Sequence, residues 1–175
     1  LTACDWDPAR FPSTNPIVLP YSPGLHLFDD DTYMENIPTV LDWARTLRAA
    51  QPDVPIRLDP VTLNPPYPRA GDDPRHGTTF AAAWGARLLK YAALAGIGEV
   101  AFAYPLPAPA RFAPYAEAPL LETTPTETVD ALAMLVNDEP HIWLINLTDE
   151  IQQVELEGER YILTAYALTH AKIRS

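Results

Sequence analysis

A chain of 175 residues and 19.4 kDa has room for one domain, or for one with a small appendage. Hydrophobic residues make up 47% and charged residues 20%, which excludes disorder by composition, and no apolar run reaches the ~18–20 residues needed to span a bilayer. The net charge of -11 repels phosphate backbones, so neither nucleic acid nor an anionic membrane surface is an expected partner.

The single cysteine, Cys4, leaves no internal disulfide and no cysteine-rich zinc site. The 20 prolines, roughly twice the usual 5% share, are interleaved with apolar residues and mark stiff loops. The sequence starts at Leu1 without a basic-then-apolar signal pattern, so we expect a cytoplasmic fragment of a longer chain.

Residues 16–21 read as a short buried strand, and a loop over 22–31 follows. Ile37, Val40, Leu41, Ala44 and Leu47 then recur on one face at helical spacing. Pro38 is tolerable at the start of that helix, and Gln51-Pro52-Asp53 ends it. Residues 55–58 form the next strand, and a proline-rich loop runs from 59 to 77. The clearest helix covers 78–95, with Phe80, Trp84, Leu88, Tyr91 and Ala95 on one stripe and Gly96 as its stop. Residues 99–104 make a third strand.

After an irregular, proline-rich stretch over 105–125, four strand-length runs follow at 128–136, 141–146, 152–156 and 160–168. Turn residues separate them, and the alternation in Gln153-Val154-Glu155-Leu156 places one face inside. Val154, Leu156, Ile162 and Leu144 are the expected buried positions of an antiparallel meander. The division between the two parts is expected near Pro119, giving segments 1–118 and 119–175.

Strand-helix-strand-helix-strand order implies parallel strands joined by right-handed crossovers. Three such strands, read as buried on both faces, need neighbours. The expected fold is therefore α/β: the C-terminal part of a (β/α)8 (TIM) barrel followed by a small antiparallel β-sandwich. An upstream barrel segment or a partner chain would complete it. A self-contained three-layer α/β domain is the alternative. In a barrel, function sits at the C-terminal ends of the strands, here on loops 22–31, 59–77 and 105–118.

Several runs carry a resemblance. They are Leu25-His26-Leu27-Phe28-Asp29-Asp30, Asp59-Pro60-Val61-Thr62-Leu63-Asn64-Pro65, Asp73-Pro74-Arg75 followed by Phe80 and Trp84, Leu89-Lys90-Tyr91 through Gly96, and Asn146-Leu147-Thr148. In order and spacing the chain resembles the C-terminal portion of the D-apionate lactonase family. The resemblance spans residues 15–173 and implies a sugar-lactone hydrolase with a glycoside-hydrolase-like barrel and a C-terminal β-domain. It departs at residues 105–110, where the family is expected to carry an acidic loop and this chain has neither an acid nor a Trp.

Candidate catalytic residues are His26, Asp29, Asp59 and Arg75; candidate substrate-binding residues are Thr62, Asn64, Asp73 and Tyr104. A His and a carboxylate on one loop, His26 and Asp29, can form an acid–base pair. Against this, Asp29, Asp30 or Asp31 can simply cap the following helix. Asp59, Thr62 and Asn64 would project from the second strand end toward sugar hydroxyls, or merely satisfy turns around Pro60 and Pro65. Arg75 can polarise a lactone carbonyl or pair with Asp73 to stiffen its loop. His76 is read as solvated, Tyr104 as facing the site or the core, and His141 and His170 as structural.

No Gly-rich phosphate loop, Gly-x-Ser-x-Gly elbow or His-x-x-x-His pair occurs, so no metal or cofactor is expected. The leading reading is a hydrolase of a small sugar-acid lactone: water attacks the carbonyl, His26 or a carboxylate acts as base, and Arg75 or Asn64 stabilises the oxyanion. Glycoside hydrolysis would need two carboxylates that the sequence cannot pair. A non-catalytic carbohydrate-binding or scaffold domain is the third reading, favoured by the acid-free loop after Tyr104.

Overall fold

The computed structural model describes residues 16–24, 28–65, 72–104 and 111–171. Strands β1 (Ile17–Tyr21), β2 (Ile56–Val61) and β3 (Glu99–Phe102) form a parallel sheet in that spatial order. Ile17 lies beside Ile56, and Leu58 beside Val100. The expected parallel neighbours are thus present. Among the described residues this sheet has three strands and closes no barrel.

Two helices, not one, connect β1 to β2: α1 (Asp30–Glu35) and α2 (Thr39–Ala50). Asp29 starts the first, its carboxylate accepting from the Thr32 N–H at 2.8 Å. Pro38 stands at the N-cap of α2, where its missing N–H leaves no helical bond unmade. Val40, Ala44 and Leu47 are the buried face of α2. Helix α3 (Thr79–Leu94) begins at Thr78, whose hydroxyl accepts from the Ala81 N–H. Gly96, at φ +66°, turns the chain away in the left-handed region just past its end. Burial on α3 extends beyond the expected stripe and takes in Arg87 and Lys90.

Three expectations about the strands are corrected. β2 continues past Leu58 through Asp59 and Pro60, because a register shift lets Val61 pair with Tyr21. β3 stops at Phe102. Burial on both faces also fails: Val18 is 47% exposed. Its neighbours across the sheet, Arg57 and Glu99, share that face. There Arg57 bridges Asp59 at 2.7 Å and Glu99 at 3.1 Å.

In the C-terminal part, β4 (Val129–Val136), β5 (Glu139–Asn146) and β8 (Leu168–Ala171) form one antiparallel sheet, and β6 (Gln152–Leu156) pairs with β7 (Glu159–Leu163) in a separate hairpin. The run expected as one strand over 160–168 is therefore two strands, and β8 returns to β5 instead of extending a meander. Two-residue turns at Asn137–Asp138 and Glu157–Gly158, all four residues at positive φ, set both hairpin registers. The second register pairs Val154 with Tyr161 and Gln153 with Ile162. Ile162 is consequently on the outer face, 63% exposed, while Leu163 is buried. Leu144 is buried as expected, and Val154 and Leu156 are half-buried.

One hydrophobic core joins the two parts. Leu132, Met134, Trp143 and Ile145 belong to the same buried cluster as Trp84 and Leu88 of α3. The opposite face of that sheet contributes Leu144 to a smaller cluster with Leu163, Ala167 and Ala171. Across the shared core, Asp130 of β4 accepts from Arg87 Nε at 3.1 Å and from Lys90 Nζ. Arg87 also donates to the Met34 carbonyl at 2.6 Å. No helix among the described residues is long and apolar enough to cross a membrane.

The Asp130 side chain is fully buried between its two cations. Asp130→Ala leaves both charges unpaired in the core, and we expect a loss of about 3–5 kcal/mol in urea unfolding. A loss below about 1 kcal/mol would mean that the cations find other partners.

Candidate active site

The C-terminal ends of the three parallel strands bring Ser22, residues 62–64 and Tyr104 together. The Asn64 side chain is the hub. Its Nδ2 donates to the Tyr104 phenol oxygen at 3.2 Å, and its Oδ1 accepts from the Asp73 N–H at 2.7 Å. The Asn64 backbone is fixed as well: its N–H donates to Thr62 Oγ1, and its carbonyl accepts from Ser22 Oγ. The Tyr104 hydroxyl donates in turn to the Asp72 carboxylate at 2.8 Å. That bond leads the effects that push the phenol's pKa above its ordinary value and keep the group protonated.

Beside this chain lies a clamped arginine. Arg75 donates from Nε and Nη2 to the two oxygens of Asp73, at 2.7 and 2.6 Å. Its Nη1 reaches the Phe28 carbonyl at 3.2 Å and Asp30 at 3.1 Å. The guanidinium lies 3.7 Å above the centre of the Tyr33 ring and 5.4 Å from that of Phe80. Tyr33 is held in turn by a hydrogen bond to the Leu63 carbonyl. Gly24 is required beneath it, since a Cβ there would stand 2.1 Å from the Tyr33 hydroxyl. Burial pushes the Asp73 carboxyl up, but the Arg75 hydrogen bonds and charge outweigh it and hold the group below the usual carboxylate range.

Of the residues singled out from sequence, Thr62, Asn64, Asp73, Arg75 and Tyr104 therefore converge. Asp59 stands apart from this arrangement, on the exposed sheet face with Arg57. Asp29 is the helix cap: two hydrogen bonds from Thr32 hold its carboxyl below the usual carboxylate range. His26 and the acid-free loop at 105–110 lie outside the described residues.

The sequence does not mark two of the participants and gives two others different roles. Asp72 is a loop acid whose partner is 32 residues away, and Tyr33 belongs to a helix that the periodicity does not mark. Asp30, a candidate cap, opens α1 and meets Arg75, 45 residues away. His76, read as solvated, stacks on Tyr104 with ring centres 4.4 Å apart. Both its nitrogens are shielded from solvent and have no hydrogen-bond partner among the described residues. Among the described residues, no group of three or more metal-ligating side chains gathers.

The lowered Asp73 pKa gives a signed pH dependence. The pair contributes stability at pH values above the ordinary carboxylate range, near 3.9. That contribution is lost as the pH falls through the lower folded-state value. Asp73→Asn should cost about 2 kcal/mol at neutral pH, with the difference from the parent shrinking toward pH 2 in urea titrations. A pH-independent difference would show that the charge is not what Asp73 supplies.

Two family models match the chain. One, D-apionate lactonase, TIM barrel domain, covers residues 13–136. The other, D-apionate lactonase, C-terminal immunoglobulin-like domain, covers residues 126–172. No curated protein matches it. The first match alone spans well over half of the residues, and the chain belongs to the D-apionate lactonase family.

Proposed function

We propose that this member of the D-apionate lactonase family hydrolyses a small sugar-acid lactone by attack of water on the lactone carbonyl. On this reading β1 to β3 are the closing strands of an eight-stranded barrel, completed by an upstream segment or a partner chain. The division from the immunoglobulin-like part falls near Pro119, where the chain starts to pair with β4.

The observation that carries the reading is the Asn64–Tyr104–Asp72 chain at the C-terminal strand ends, where parallel α/β folds place their chemistry. Lactone opening requires a base for the attacking water and donors for the oxyanion. Water adds to the carbonyl carbon, the ring C–O bond breaks, and the ring oxygen leaves with a proton as a hydroxyl. His26 or a carboxylate takes the proton from water; Asp72 is the carboxylate tied to the site through Tyr104. Asn64 Nδ2 has a second N–H beyond the one given to Tyr104, and it supplies the oxyanion contact. Arg75 has most of its donors committed to Asp73, Asp30 and Phe28, so its role is to position the loop that carries Asp72. Asp29 and Asp59 are engaged elsewhere, which weakens both as catalytic groups.

A non-catalytic carbohydrate-binding domain is the second reading. The absence of an acid over residues 105–110 favours it.

The test is a pH-stat assay of the intact protein on sugar-acid lactones. Tyr104→Phe and Asn64→Ala should each lower kcat/KM more than tenfold, with the fold retained. Arg75→Ala should also lose more than tenfold, and about 2 kcal/mol of stability with it, because Asp73 is left buried and unpaired. A parent protein that binds the ring-opened acid but opens no lactone would establish the binding-domain reading instead.

A further inference from the structure

The immunoglobulin-like part does more than cover the α/β core, because one of its side chains reaches the site's support. Tyr166, in the turn between β7 and β8, has φ +47°, a left-handed conformation that a bulky side chain rarely adopts. The turn is closely held. The Tyr166 N–H donates to the Thr148 carbonyl at 2.9 Å, and the Ala167 N–H to Thr164 at 3.0 Å. Asn146, fully buried, donates from Nδ2 to the carbonyls of Glu150, Leu163 and Thr164. Its Oδ1 accepts from both the N–H and the hydroxyl of Thr148. The Asn146-Leu147-Thr148 run is thus a staple that ties two loops together and fixes where Tyr166 emerges.

From there the Tyr166 ring packs edge-on against Phe80, with centres 5.0 Å apart. Its hydroxyl donates to Asp31 at 3.3 Å. Burial, and then the carboxylates of Asp31, Asp30 and Asp149, keep the phenol protonated. Phe80 touches Tyr33, and both rings lie against the Arg75 guanidinium. Asp31 sits in the first turn of α1 beside Asp30, the second carboxylate on Arg75. We infer that Tyr166 is a positioning residue: the second domain uses it to press Phe80 and the start of α1 against Arg75, and so holds the Asp72–Asp73 loop in place for the site. The edge-on ring contact carries most of this effect, since the 3.3 Å hydroxyl contact is long.

The inference rests on the lactonase reading only for its kinetic readout; a spectroscopic one stands alone. In the intact protein, the Arg75 Nε–H held by Asp73 should give a slowly exchanging proton signal in 1H–15N spectra. Tyr166→Ala should speed its exchange with water at least tenfold and lower kcat for lactone opening more than tenfold. Tyr166→Phe, which keeps the ring, should stay within twofold of the parent on both. Leu156→Ala, which weakens the same domain at the far end of the β6–β7 hairpin, should leave Arg75 exchange unchanged. Should Tyr166→Ala not fold, Tyr166→Leu tests the same contact with the same expected loss. Unchanged Arg75 exchange in a folded Tyr166→Ala or Tyr166→Leu variant, or equal acceleration by Leu156→Ala, overturns the inference. A parent that opens no lactone removes the proposed function, while the exchange measurement still decides the role of Tyr166.

Discussion

The charge on Arg75 organises the functional face. A guanidinium that is only 13% exposed must be matched by carboxylates and by ring faces, or its desolvation would open the loop around it. Asp73 supplies the bidentate partner, Asp30 brings in the start of α1, and Tyr33 and Phe80 cover the plane. These four residues come from three stretches of chain, so one cation fixes loop 72–77, α1 and α3 relative to one another. Asp73 then presents its backbone N–H to Asn64, which links the clamp to Tyr104 and Asp72. The candidate site groups are held by a cation that spends its own donors on holding them.

The same reasoning applies at the junction of the two parts. Arg87 and Lys90 of α3 are buried against Asp130 of β4, and the apolar core runs continuously from α3 to β5. A buried ionic group specifies one docking geometry, because any shifted arrangement strands a charge. The immunoglobulin-like part is therefore set in one orientation against the α/β part, and that orientation is what places Tyr166 beside Phe80.

Local order was legible in the sequence wherever pattern and punctuation agreed. Thr78 and Gly96 bracket α3 as expected, and the alternation in β6 is real. Elements were misread where a turn or register decided the outcome. Ile162 looked like core until the Glu157–Gly158 turn paired it with outward-facing Gln153, and residues 160–168 looked continuous until the left-handed Tyr166 broke them. Thr62, Asn64, Asp73, Arg75 and Tyr104 were among the candidates because they lie on the segments that follow the parallel strands. Their partners Asp72, Asp30 and Tyr33 were not, since contacts across 30 or more residues leave no local spacing signal. The strand end for β2 was drawn three residues early, so the Asp59–Arg57 ion pair within the strand went unread.

Among the described residues, two polar clusters are candidates to meet a sugar acid: the strand-end group around Asn64 and Tyr104, and the Arg57–Asp59–Glu99 group on the sheet face away from α2 and α3. A crystal structure of the intact protein soaked with the ring-opened sugar acid separates them. The account predicts the ligand's carboxylate within hydrogen-bond distance of Asn64 Nδ2, and its hydroxyls near Tyr104 and Asp72. Density for the acid on Arg57, with the Asn64–Tyr104 group untouched, would contradict it.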